Sequence, residues 1–129
     1  MNNILRSLIG LVALFNLCLG IGFLLFPAPM AVLFFLSADG AQGLATLRAD
    51  FSSFFLMASS LAFYGAWRER AAPLLVALGL FAIALTGRVI GLVMDGATST
   101  AFTPMIVEVV MISLLLLGAL RFRAPSAIT

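Results

Sequence analysis

Four apolar runs, at about residues 4–26, 41–67, 72–94 and 104–120, fill most of this chain. Each is close to the length a helix needs to cross a bilayer. Roughly 20 helical residues, at about 1.5 Å of rise each, cover the ~30 Å of hydrocarbon. Backbone groups in lipid find no water, so a spanning segment must satisfy its own N–H and C=O groups, which favours helices. The expectation is an all-α protein: one integral membrane domain over 1–129, built as a four-helix transmembrane bundle. Charged residues make up only 9% of the chain and hydrophobic residues 64%. A soluble domain carries about 25% charged residues. The bilayer is therefore the expected partner.

The breaks between the runs fit helix ends. Pro27-Ala28-Pro29 stops the first run, because proline cannot continue a helix. Ser37 or Asp39 is placed to cap the second, and Arg68-Glu69-Arg70 ends it. Asp95-Gly96 closes the third. Thr103 fits an N-cap of the fourth, with Pro104 at its first position. The apolar stretch 30–36 is too short to span and is expected to lie along the interface or fold back over the bundle. A cleavable signal peptide competes for the first run, but no A-x-A site follows Phe26.

Orientation follows from arginine. Arg6, Arg68, Arg70, Arg121 and Arg123 fall at one set of helix ends, while the opposite loops hold Asp39 and Asp95 and no basic residue. The positive-inside rule then puts both termini in the cytoplasm of a multi-pass inner-membrane protein. The same placement accounts for the basic pI near 9.5, so no nucleic-acid partner is expected.

The chain has no histidine and one cysteine, Cys18. That removes His-based metal and haem sites, Ser–His and Cys–His nucleophile pairs, and any intrachain disulfide. No glycine loop for phosphate is present. No metal or cofactor is expected, and carboxylates, arginines, hydroxyls and amides remain for chemistry. Cys18 reads as an inert buried residue.

Arg48, Asp50, Arg88, Asp95 and Glu108 lie inside or at the edge of the apolar runs. A charge at the bilayer centre costs roughly 2.5–3.5 kcal/mol on insertion scales, so such residues tend to face a bundle interior or a cavity. Counting ~1.5 Å per residue, Arg48 and Asp50 sit ~10–14 Å below one end of the second helix, Arg88 ~9–12 Å below the same side of the third, and Glu108 ~6–9 Å into the fourth. Three helices thus place charge in one layer, in the outer half of the membrane. Thr46, Asp50, Ser53, Met57, Ser60 and Tyr64 share a helix face by i+3/i+4 steps. Arg48 is ~200° round from Asp50 and must reach sideways or upward. Gly87 and Gly91 form a G-x-x-x-G beside Arg88, which permits close helix approach. Asn16, near the middle of the first run, is placed to complete a polar ring.

The segments Gly43-Leu44-Ala45-Thr46-Leu47-Arg48-Ala49-Asp50-Phe51 and Gly87-Arg88-Val89-Ile90-Gly91-Leu92-Val93-Met94-Asp95-Gly96, followed by a glutamate in the last helix, together resemble a bacterial four-helix membrane family of unknown function, broadly similar to DoxX-like proteins. The resemblance spans nearly the whole chain. It implies the four-helix architecture and supplies no activity, cofactor or site.

Three functions fit. In the first, the chain binds or acts on a lipophilic small molecule. Asp50 and Glu108 would be the acid/base pair and Arg88 would bind developing negative charge. Asn16, Arg48, Ser53, Tyr64 and Asp95 would line or orient the site. Isomerisation, epoxide opening or cyclisation suits that equipment. In the second, Arg88 pairs with a carboxylate only to hold the helices together, and the chain is an accessory subunit of a larger membrane complex. The small-residue series Ala58, Ala62, Ala66 would be its docking face. The third is proton-coupled transport, which four helices without an inverted repeat would need a homo-oligomer to perform.

Overall fold

The structure, a computed structural model, describes residues 2–123. Among them the regular elements are all helical: α1 (Asn2–Leu25), α2 (Pro27–Leu33), α3 (Gly40–Thr46), α4 (Ser52–Trp67), α5 (Ala71–Met94) and α6 (Phe102–Arg121). A π-helical turn, Leu47–Phe51, joins α3 to α4. α1, α5 and α6 are long and apolar enough to cross a membrane.

The expected second span is therefore not one uninterrupted α-helix. The backbone stays right-handed helical through both junctions of the π turn, so residues 40–67 form one rod. The π turn shifts the hydrogen-bond step from i+4 to i+5 and leaves carbonyls short of partners. Hydroxyls supply them. Ser52 donates to the Arg48 carbonyl, Ser53 to that of Asp50 at 3.0 Å, and Thr46 to that of Gln42 at 3.1 Å. The local serine density thus stabilises an irregular turn where Arg48 and Asp50 sit.

Other boundaries moved by a residue or two. Pro27 opens α2 after a one-residue break, because a proline at the first position lacks only an N–H that would be unpaired anyway. α6 starts at Phe102 with Ala101 as its N-cap, so Thr103 is not the cap and Pro104 is the third helical residue. The first four N–H groups of a helix have no intrahelical partner, which is why proline is harmless there. Two chain reversals use left-handed residues that are not glycine. Phe35 (φ 57°) follows α2, and Glu69 (φ 49°) follows α4. In each, the next amide bonds back five residues, Leu36 to Ala31 at 2.8 Å and Arg70 to Gly65 at 2.9 Å, which closes the helix end.

α1 packs against α4 and α6, α4 against α5, and α5 against α6, so the four rods close into a ring. Arg121 donates to Asn2 at 2.8 Å, which puts the ends of α1 and α6 together. Arg6 pairs with Glu69 at 3.1 Å at the same end. This is the terminal end; α2, the π turn and the 95–101 loop form the far end. Two apolar clusters fill the ring. One, toward the terminal end, gathers Ile9, Leu74, Phe81 and Leu115 around Ala58, Ala62 and Ala66. The other, at the far end, gathers Phe23, Ala31, Leu47 and Phe55. Large apolar side chains such as Leu11, Ile83, Val93 and Leu117 point outward, the inverse of a water-soluble surface.

Several facing expectations are corrected. The alanine series lies in the chain's own core, with Ala62 fully buried, and so offers no docking face. Cys18 is exposed rather than buried. The Gly87/Gly91 pair makes no close approach, since a Cβ at Gly87 would meet nothing within 4 Å. The close approaches are elsewhere. A Cβ at Gly20 would lie 2.7 Å from the Leu56 side chain and 3.1 Å from its backbone nitrogen. Gly20→Ala should push α1 from α4 and destabilise by about 1–3 kcal/mol, as overpacked cores do. Gly87→Ala should be neutral or stabilising by about 0.5–1 kcal/mol, through helix propensity. Thermal unfolding of both variants in detergent checks the contrast.

Candidate functional site

The charge layer surrounds a real space. A pocket of about 380 Å³ lies inside the ring at the far end, and Asp50, Arg88 and Glu108 all line it. Each comes from a different rod. Asp50 projects from the π turn, Arg88 lies within the last two turns of α5, and Glu108 stands in the second turn of α6. The antiparallel run of α5 and α6 brings the last two side by side. The Arg88 Nε donates to Glu108 Oε1 at 2.9 Å.

The pair is asymmetric. The Glu108 side chain is 9% exposed and that of Arg88 38%. Glu108 Oε2 is buried with no hydrogen-bond partner, whereas the Arg88 side chain is partly exposed. Asp50 is exposed and forms no ion pair among the described residues. Pairing Arg88 with one of the two carboxylates was expected; Glu108 is the one.

The walls are aromatic. Phe15 comes from α1, Phe34 follows α2, Phe51, Phe54 and Phe55 come from the π turn and α4, and Phe81 from α5. Phe54 meets Phe81 edge-on with centroids 5.8 Å apart, and Phe34 meets Phe55 at 5.9 Å. Edge-to-face contacts of this kind hold rings in defined orientations. This wall was missed from sequence. The signal was present: Phe51, Phe54 and Phe55 fall at i, i+3 and i+4, one helix face, but twelve phenylalanines in an apolar chain hid it.

The remaining candidates divide. Asn16 is buried and does not line the pocket. Its amide donates to the Val12 carbonyl at 2.8 Å and contacts the Met111 sulfur at 3.4 Å. The Val12 carbonyl accepts only, which fixes the amide orientation and leaves Oδ1 unpartnered. Asn16 therefore supports the pocket through Met111, which does line it. Arg48 reaches sideways, as expected, and donates to the Leu24 carbonyl at 2.8 Å. That carbonyl ends α1, where the helix dipole favours a cation. Ser53, Tyr64 and Asp95 do not line this pocket, and all three are exposed. Asp50 apart, the face they suggested, Thr46 through Tyr64, points out of the ring, because Ser52, Phe55, Ser59 and Ala62 occupy the inward face. Ser59 binds across to α1, donating to the Ala13 carbonyl at 2.7 Å.

No group of three or more acidic, cysteine or histidine residues with metal-binding geometry occurs among the described residues. The arrangement offers one ion-paired carboxylate, one unpaired carboxylate and a half-exposed guanidinium at the edge of an apolar space. No protein-family profile, curated protein or solved structure matches the chain.

Proposed function

We propose that the chain is a four-helix transmembrane protein that binds a lipophilic small molecule in the far-end pocket, with the molecule's polar part at Asp50, Arg88 and Glu108. The observation that carries this reading is the pocket itself. Its volume falls within the range of small-molecule sites, and its few polar groups converge at one edge of an apolar wall, as ligand sites require. A simple structural ion pair needs no such space beside it. Among the described residues Asp50 also has no ion-pair partner, and in the outer half of a membrane an unpaired charge is costly. Two carboxylates in unlike surroundings are the arrangement used for separate acid and base roles, so isomerisation, epoxide opening or cyclisation remains the reaction class proposed.

In this reading the 40–67 rod is the fourth span, α2 lies at the membrane interface, and the pocket is in the outer half of a bacterial inner membrane. The arginine-rich terminal end faces the cytoplasm. Membership of the DoxX-like group rests on the two motif stretches alone. Single cysteines at Ser37→Cys and Ser99→Cys, in a Cys18→Ala background, test the orientation. Both should label from outside intact cells, and labelling of Ser99→Cys only after permeabilisation reverses it.

Asp50→Asn and Glu108→Gln test the site. Both keep shape and remove an ionisable carboxylate. Asp50→Asn should retain the thermal stability of the wild type while losing the lipophilic molecule recovered by solvent extraction of the purified protein. A wild-type extract holding only bulk membrane lipid would argue against the pocket reading.

A further inference from the structure

The pocket's charge balance goes beyond the presence of a ligand and selects its class. We propose that the ligand is a lipophilic amine, bound as its ammonium form. This inference rests on the pocket reading above.

Three charged side chains line the space, two carboxylates against one guanidinium, so the lining carries a net negative charge. Arg48 lies outside the lining, where its Nε donates to the Leu24 carbonyl. Arg88 is engaged through Nε with Glu108, and its 38% exposure lets the rest of its charge be solvated. Glu108 lacks equivalent compensation. Glu108 Oε2 is buried and has no donor. Asp50 is exposed, and among the described residues no cation lies within ion-pair distance of it. A carboxylate is an acceptor only, so what both lack is a donor. Glu108 itself lines the pocket, so a donor placed there is beside its carboxylate. An ammonium ion supplies N–H donors and the missing positive charge together.

The wall agrees with this choice. Phe15, Phe34, Phe51, Phe54, Phe55 and Phe81 contribute to the lining. Ring faces carry negative potential and attract cations, most strongly where water is excluded. A carboxylate ligand would meet the unpaired Asp50 and an arginine already engaged. A neutral alcohol would satisfy one acceptor and leave the charge imbalance.

Three rigid isosteres separate the possibilities: 1-adamantylamine, 1-adamantanol and 1-adamantanecarboxylate, titrated calorimetrically into the full chain in detergent. They share one apolar cage and differ only in the polar group. The amine should bind about tenfold or more tighter than the carboxylate, since like charges brought together in an apolar site are strongly disfavoured. Asp50→Asn should weaken the amine by about tenfold while leaving the alcohol unchanged. Glu108→Gln should weaken the amine as well. If that variant does not fold, the Asp50 variant decides, because Asp50 has no ion pair to lose. Equal or tighter binding of the carboxylate or alcohol overturns the amine assignment and leaves the pocket reading standing. Binding of none of the three overturns both.

Discussion

Arg88→Ala is expected to destabilise the protein by about 3 kcal/mol, the lower end for breaking a buried ion pair. The reason is the asymmetry of the pair. Truncating Arg88 strands Glu108, whose side chain is 9% exposed and whose Oε2 already lacks a partner. The reciprocal change, Glu108→Gln, strands a guanidinium that is 38% exposed and can turn to water or headgroups. Its cost should be about 1 kcal/mol or less, in the range of exposed pairs. Thermal unfolding of both variants in one detergent measures the difference. Equal losses would mean that the two groups share one environment, contrary to their burial.

Phe23→Ala should cost about 3–5 kcal/mol, the range for emptying a buried phenylalanine site. Phe23 is completely buried. Its ring stacks on Phe55 at 5.9 Å, meets Phe34 edge-on at 5.0 Å and lies 4.8 Å from Phe51. It therefore ties α1 at once to the α2 reversal, the π turn and α4. Three of its neighbours, Phe34, Phe51 and Phe55, also form pocket wall. The variant should lose ligand along with stability. Phe63→Ala is the control. That ring is exposed and stacks only on Trp67 at 5.8 Å, so its loss should change stability by less than about 0.5 kcal/mol, as surface substitutions do. Unfolding midpoints of the two variants check the contrast.

The helical class and most helix ends were legible because hydrophobic length and proline placement are local properties. The shared depth of Asp50, Arg88 and Glu108 was legible too, since rise per residue is fixed and the helices alternate in direction. Facing was not. The Thr46–Tyr64 series has a clean helical period, and its polarity suggested an interior stripe. In an apolar environment that inference loses its force. Those hydroxyls bond to their own helix carbonyls, as Ser60 does to Leu56 at 2.8 Å, and so can point outward at little cost. The G-x-x-x-G at Gly87 misled for a related reason. Close approach depends on which face meets a neighbour, and the glycines that matter, Gly20, Gly65 and Gly118, belong to no G-x-x-x-G pair, each lying opposite a large side chain of another segment. The π turn left a trace in the Ser52-Ser53 pair, but serine in an apolar helix more often signals simple backbone bonding. The aromatic wall could be recognised only when α1, α2, α4 and α5 were brought together.

In the proposed function, the space beside the Arg88–Glu108 pair is held open for a ligand. Ala84 lines it between Phe81 and Arg88 on the same face of α5. Ala84→Trp fills that volume and leaves all three charges in place. The deciding measurement is native mass spectrometry of the purified wild type and this variant, with solvent extraction of each. The expected result is a bound lipophilic small molecule on the wild type that is absent from Ala84→Trp, with the variant still folded. A wild type that carries no such molecule, beside an Ala84→Trp variant of higher thermal stability, would show the space to be a packing void and contradict the claim.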